Sequence, residues 1–170
     1  MVSQNQPNLR IPGPVPLPDE VLAVAGSQMI NHRGQEYAEM LDQMSSNLKT
    51  VFMTTNDVYF ITASGTGAME AALVNTISPG DKVLSIIIGV FGERFAEIAD
   101  AYGADVHRLN FELGKAADLD AVRETIRKNP KIKAIIFTHN ETATLLNVTF
   151  PRKKSRINTL IVISKKDFLK

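Results

Sequence analysis

The chain has 170 residues, of which 44% are hydrophobic, enough to fill the core of one ordinary domain. It contains no cysteine, which excludes disulfides, thiolate metal sites and cysteine nucleophiles. Its three histidines do not have metal-ligand spacing, so we predict no metal site. No apolar run reaches the roughly 20 residues that a membrane helix needs, and no secretory signal is visible, so a cytoplasmic protein is expected.

Charge is distributed unevenly along the sequence. Residues 1–144 hold 12 Lys and Arg against 17 Asp and Glu, whereas residues 145–170 hold 7 basic residues against Asp167 alone. After Gly114 the chain contains no further glycine. This break in composition predicts two sequence regimes, the second of them a basic tail.

The amino-terminal residues are polar and rich in proline. Prolines at alternate positions between residues 12 and 18 force an extended backbone, so we predict an extended arm over residues 1–18 with a rigid bend at Ile11–Pro14. Helix signals follow from residue 19 to residue 26. A longer helix is predicted from about Gln35, with an apolar stripe whose methionines are expected to fill a core.

The stretch from Val58 to Ile77 has the pattern of an anion-binding loop. The apolar run Val58–Ile61 predicts a strand, the small residues 63–67 predict a loop, and apolar residues at helical spacing from Met69 onward predict a helix. A helix that follows such a loop presents unpaired backbone amides and the positive end of its dipole to an anion. Because the loop lacks both a Gly-Lys-Ser/Thr tripeptide and a third glycine, nucleotide-binding loops fit poorly. We predict a phosphate cradle, with a plain strand-to-helix turn as the alternative.

Strands and helices alternate in the rest of the sequence. Strands are predicted at residues 82–88, 105–109 and 133–138, and helices from near Glu93 to Gly103 and from Leu119 to Asn129. This alternation predicts an α/β fold with a mainly parallel sheet, and ligands of such sheets bind beyond the carboxyl ends of the strands.

Three loops are expected to meet at that edge of the sheet. They are Ser64–Gly67, Gly89–Gly92 and His139–Thr142, and they offer an anion cradle, the aromatic ring of Phe91 and hydroxyl groups. A phosphorylated, planar aromatic ligand is therefore predicted. The alternative for Phe91 is ordinary packing at the surface.

Several motifs occur in an order that is similar to one known family. They are PGPVPLPDEVL, SGTGAMEAALVN, PGDKVL, GVFGER, AYGADV and THNET, and they extend from about Ile11 to Thr144. In this respect the sequence resembles the class V aminotransferases, which are fold-type I pyridoxal-phosphate enzymes. It looks most like their alanine–glyoxylate and serine–pyruvate branch.

The resemblance implies roles for five residues and for partners. Ser64, Gly65 and Thr66 would hold the phosphate of pyridoxal 5'-phosphate, Phe91 would stack on the pyridine ring, and Thr142 would hydrogen-bond the phenolic oxygen of the ring or neighbouring atoms. It also implies a three-layer α/β/α large domain and a homodimer with the active site at the subunit interface. The implied reaction moves an amino group from alanine or serine to glyoxylate or another 2-oxo acid, with a desulfurase or lyase as the alternative within the family.

The sequence departs from the family after Thr144. Family members are more than twice as long, and they carry further on an aspartate that pairs with the pyridine nitrogen and a lysine that forms the Schiff base. Residues 145–170 match neither segment, so we assign no catalytic residue. The departure implies that residues 19–144 are the N-terminal part of a large domain, and that residues 145–170 are a non-family tail from a frameshift or a truncated reading frame. It also implies that the fragment is catalytically inactive.

Two further expectations follow from a truncated sheet and a basic tail. A half-sheet would leave an exposed edge and uncovered apolar faces. The alternative function is a small non-catalytic α/β module whose basic tail binds nucleic acid or a protein partner. Nucleic acid is the weaker of the two partners, because the tail has few aromatic residues among its basic ones.

Overall fold

The computed structural model describes residues 9–11, 13–142, 146–147 and 160–164. Pro12 of the predicted bend, residues 1–8 of the predicted arm and most of the basic tail lie outside these ranges. The chain divides into two compact units, residues 1–59 and residues 60–170. Within the described ranges, every helix is too short or too polar to cross a bilayer.

The first unit contains two helices, α1 (Asp19–Ala25) and α2 (Gln35–Phe52), as predicted. Acidic residues occupy the first turn of α1, where the helix dipole favours negative charge. Neither helix buries a residue, and the α2 methionines Met40 and Met44 are 41% and 39% exposed. Our expectation that these methionines fill a core is wrong, because more than a third of each residue is exposed.

The second unit carries the sheet and the remaining helices. In chain order they are α3 (Gly65–Val74), β1 (Lys82–Ile87), α4 (Val90–Ala101), β2 (Asp105–Asn110), α5 (Leu119–Lys128), β3 (Ile132–Thr138), β4 (Asn140–Glu141), β5 (Leu146–Asn147) and β6 (Leu160–Ser164). The main sheet has the strand order β2-β1-β3-β6, and β4 and β5 form a separate antiparallel pair. β1 is parallel to both β2 and β3, whereas β6 is antiparallel to β3. The predicted α/β class with a mainly parallel sheet is confirmed.

Side chains of β1 enter two separate core clusters, one on each face of the sheet. Leu84 and Ile86 pack with α5, through Val122 and Ile126. On the other face, Val83 packs with residues of α3 and α4, which are Met69, Leu73, Phe95 and Ala99. The helices thus form a layer on each side of the sheet, and a strand covered on both faces is apolar almost throughout.

Three local expectations are overturned in this unit. Residues 58–61 form no strand, and Phe60 and Ile61 are half exposed, because a strand needs a neighbour for its backbone hydrogen bonds and this segment forms no ladder with a described strand. Helix α4 begins at Val90, three residues before the predicted Glu93. The apolar faces of the sheet are covered rather than open. β6 pairs with β3, so β2 and β6 are the edge strands of the described sheet.

Candidate functional site

The amino terminus of α3 follows the predicted small-residue loop. Ser64 is the N-cap residue, and its Oγ accepts a hydrogen bond of 3.3 Å from the Gly67 amide. The first amides of a helix have no intrahelical acceptor, and the Ser64 side chain satisfies one of them. The N–H groups of Gly65 and Thr66 therefore point out of the amino terminus of α3, where they have no acceptor within the helix.

Two glycines of this loop serve different purposes. A Cβ on Gly65 would meet nothing within 4 Å, so a side chain at this position would be unobstructed. A Cβ on Gly67 would lie 2.8 Å from the Cβ of Ala63, closer than real Cβ contacts. Gly67 therefore allows the chain to turn tightly into the helix, while the absence of a side chain at Gly65 is not required by packing.

The amino terminus of α4 is occupied by a side chain of the protein itself. The Oε2 atom of Glu141 accepts hydrogen bonds from the Phe91 amide at 3.1 Å and from the Gly92 amide at 3.3 Å. Glu141 is fully buried, and Phe91 is partly buried. A carboxylate at this position satisfies helix amides and complements the helix dipole. This contact gives a physical reason for the early start of α4 at Val90.

Sequence reasoning did not assign a role to Glu141. The residue belongs to the quoted THNET motif, but a glutamate after a buried strand carries no signal that identifies which helix it will cap. Gly89 provides a partial signal, since a Cβ there would lie 2.4 Å from the Cγ of Glu141. A glycine immediately before a helix, where a polar cap is common, indicates that another group fills the space.

The carboxyl end of β3 presents polar groups in a buried setting. Thr138 and His139 are 4% and 9% exposed. Within the described ranges, the Oγ1 atom of Thr138 and the Nδ1 atom of His139 have no hydrogen-bond partner. Thr142, predicted to contact a ligand, is exposed and follows Glu141 directly. Buried polar atoms of this kind usually have a hydrogen-bond partner, so the carboxyl end of β3 can form hydrogen bonds with a further polar group.

Ion pairs and hydrogen bonds fix the two helices that carry the predicted site. The Tyr102 hydroxyl, just after α4, donates to Glu70 of α3, and this bond to a carboxylate raises the pKa of Tyr102 above its usual value. Arg108 of β2 pairs with Asp100 and with Glu93, and these carboxylates raise the pKa of Arg108. The Glu93 contact measures 3.0 Å from Nε to Oε1.

The topology brings the beginnings of both helices to one edge of the sheet. The Gly80 amide, in the turn after α3, donates to the Gly103 carbonyl after α4 at 2.7 Å, so the two helices end side by side. Helix α4 runs between β1 and β2, and α3 leads through a turn into β1, so both helices end at the amino edge of the sheet. Both therefore begin toward the carboxyl edge, where β3 also delivers His139–Thr142. Of the three predicted loops, Gly89–Gly92 and His139–Thr142 are joined by the Glu141 hydrogen bonds, and Ser64–Gly67 begins the neighbouring helix.

Comparison with known proteins identifies the family to which this chain belongs. Residues 20–158 match the family described as aminotransferase class-V. The chain belongs to this family. An uncharacterized aminotransferase of Methanocaldococcus jannaschii is 47% identical to this class V chain over 136 residues, which are 80% of the chain and 35% of the relative.

Two further similarities concern proteins with named substrates. The L-aspartate–glyoxylate aminotransferase of Paracoccus denitrificans is 36% identical over 147 residues, 85% of this class V chain and 37% of the relative. The crystal structure of an alanine–glyoxylate aminotransferase from Nostoc sp. superposes with a TM-score of 0.77 at 29% identity, covering 82% of this chain and 37% of that one. The class V chain thus spans little more than a third of the length of each of these three relatives.

Proposed function

We propose that this class V chain forms the phosphate- and ring-binding part of a pyridoxal-phosphate-dependent aminotransferase. Ser64, Gly65 and Thr66 would hold the cofactor phosphate, Phe91 would lie against the pyridine ring, and Thr142 would bind the ring oxygen. The observation that carries the proposal is the α3 amino terminus, with open space at Gly65 and helix amides beside it.

The residues present fit this cofactor in their donor chemistry. A phosphate dianion suits the amides and hydroxyls at the start of α3, while the planar ring suits a partly buried aromatic residue on the neighbouring helix. The buried Nδ1 atom of His139 and Oγ1 atom of Thr138 lie in the same segment as Thr142 and could serve a polar ring substituent. When bound, the pyridine ring of such a cofactor withdraws electrons from the bonds of the amino acid's Cα atom.

For the whole protein we propose transfer of an amino group to glyoxylate or another 2-oxo acid. Glyoxylate appears in the names of both relatives with stated substrates, whereas their amino donors differ, aspartate in one and alanine in the other. Alanine or serine is our proposed donor, and a homodimer in the cytoplasm is our proposed state. The test is an assay of a full-length protein, with the family sequence restored after Thr144, using alanine, serine and aspartate as donors to glyoxylate; activity with none of them would contradict the proposal.

We also propose that residues 1–170 alone do not transaminate and that a frameshift follows Thr144. The support is that residues 145–170 contain no glycine and no segment that matches the lysine or aspartate on which the family depends; the family match itself extends to residue 158. Sequencing the encoding DNA and translating all downstream frames tests this directly. A downstream frame that continues the family sequence would support the frameshift, and its absence from every frame would count against it.

Cofactor binding can be tested on this chain with two variants at Gly65. Gly65→Ala adds a methyl group to open space, so binding of pyridoxal 5'-phosphate should change little. Gly65→Asp adds a negative charge in the first helical turn, which favours the helix but repels a phosphate. We expect Gly65→Asp to lose most binding in a fluorescence titration without losing stability. Equal binding by both variants would contradict the phosphate assignment.

A further inference from the structure

The carboxylate of Glu141 connects two segments that the proposed function places around the pyridine ring. We propose that Glu141 is a positioning residue, which holds the Phe91 backbone and the segment bearing Thr142 in fixed relation. This inference rests on the proposed function. It concerns a residue with no assigned role, located between the two residues proposed to touch the ring.

Two hydrogen bonds of Glu141 join its segment to the start of α4. Its Oε2 atom accepts from the Phe91 and Gly92 amides, at 3.1 and 3.3 Å, across sequence separations of 50 and 49 residues. The side chain is fully buried, so water does not compete for these bonds. Bonds from amides to a buried carboxylate are among the stronger hydrogen bonds in proteins, and the dipole of the 12-residue helix α4 reinforces them.

Packing around Gly89 restricts Glu141 further. A Cβ on Gly89 would lie 2.4 Å from Cγ, 2.5 Å from Cδ and 2.9 Å from Oε2 of Glu141. The glutamate side chain therefore lies directly against the backbone that leads into α4. A shift of Glu141 would release the first turn of α4, and with it the backbone that sets the direction of the Phe91 ring.

The amino termini of α3 and α4 have different roles in this arrangement. The α4 terminus is filled by the protein's own carboxylate, whereas the space at the α3 terminus is open beside Gly65. A ligand phosphate is therefore directed to α3, and Glu141 acts on the ring-binding part alone. Loss of Glu141 should weaken binding of a ring-bearing phosphate while sparing binding of phosphate itself.

The experiment compares pyridoxine 5'-phosphate with inorganic phosphate as probes of the full chain. Glu141→Ala should bind pyridoxine 5'-phosphate roughly tenfold more weakly, the order of magnitude expected from losing a charge-assisted hydrogen bond. Its affinity for inorganic phosphate should stay unchanged. Glu141→Gln, whose amide oxygen can still accept from both amides, should restore most of the affinity for pyridoxine 5'-phosphate.

A second variant and a structural readout keep the test informative if Glu141→Ala does not fold. Glu141→Asp keeps the charge but shortens the side chain by one methylene, so it should also lose affinity for pyridoxine 5'-phosphate alone. Exchange of the Phe91 and Gly92 amide protons with solvent should become faster in Glu141→Asp and stay close to wild type in Glu141→Gln.

The outcomes separate this inference from the proposed function. If Glu141→Ala and Glu141→Asp lose affinity equally for both probes, or for neither, the positioning role is overturned and the phosphate site stands. If the wild-type chain binds neither probe, the proposed function is overturned, and the role of Glu141 falls with it.

Discussion

The two glycines at the start of α3 differ in what a methyl group would meet, and this difference is testable. In Gly67→Ala the new Cβ would lie 2.8 Å from that of Ala63, and relieving such overpacking costs about 1–3 kcal/mol. In Gly65→Ala the methyl group meets nothing, and the gain in helix propensity is at most about 1 kcal/mol. We expect urea unfolding to show Gly67→Ala less stable than wild type and Gly65→Ala at least as stable.

A double substitution provides the control for this contact. In an Ala63→Gly background the opposing Cβ is absent, so Gly67→Ala should cost nothing relative to Ala63→Gly alone. A cost that persists in that background would show that the strain lies elsewhere in the turn.

A second residue-scale effect concerns the turn before β1. Asp81 accepts hydrogen bonds from Lys133 and from the Ser78 amide, and these contacts, led by Lys133, lower the pKa of its carboxyl below its usual value. A depressed pKa gives stability that is present above the unfolded value of about 3.9 and lost as the pH falls through the folded value. The stability difference between wild type and Asp81→Asn should therefore shrink from pH 6 to pH 3. A difference that is independent of pH would contradict this assignment.

At the scale of elements, the amino terminus of α5 depends on one side chain. Asp118 is the N-cap, and its Oδ1 atom accepts from the Asp120 amide at 2.8 Å and from the Ala121 amide at 3.5 Å. Removing such a cap usually costs about 1 kcal/mol. Asp118→Ala should lower the free energy of unfolding by about that amount, whereas Asp118→Asn, which retains a capping oxygen, should cost much less. Equal losses in the two variants would contradict a capping role.

The elements that sequence alone predicted are those whose own residues determine them. β1 and β3 are buried on both faces, which leaves an apolar run in the sequence, and α5 has its cap and its apolar stripe within one short segment. The predicted strand at Val58–Ile61 failed because a strand is completed by a neighbour that its own sequence does not contain. The start of α4 was missed for a related reason, since its capping carboxylate comes from Glu141.

In the candidate site, too, features set by neighbouring residues were predictable, and contacts between distant residues were not. The small-residue loop and the helix after it were predictable because their signals are adjacent in sequence, and the structure places Ser64 at the helix N-cap. Phosphate binding by this loop stays a prediction. The contact between the Phe91 and Glu141 segments joins residues 50 positions apart, and only the parallel order of β1 and β3 brings them together. Sequence predicted that these loops share an edge, but not which atoms meet.

At the scale of the whole molecule, the two units should differ in hydrogen exchange. Strands β1 and β3 are buried on both faces, whereas α2 buries no residue. Because an amide exchanges through local opening, and opening is easy where few apolar contacts hold an element, α2 should exchange far faster than β1. Mass spectrometry of exchanged peptides at low protein concentration measures both elements in one sample.

The same measurement at high concentration tests the proposed homodimer. Covering the half-exposed methionines of α2 would slow its exchange, so protection of α2 that grows with concentration would support a second copy of this chain as the covering surface. The β1 peptide is the internal control, because its side chains are already buried within one copy. If α2 is protected as strongly as β1 at every concentration, the first unit is stabilised within a single chain. If α2 remains unprotected at all concentrations, dimerisation through this helix is contradicted.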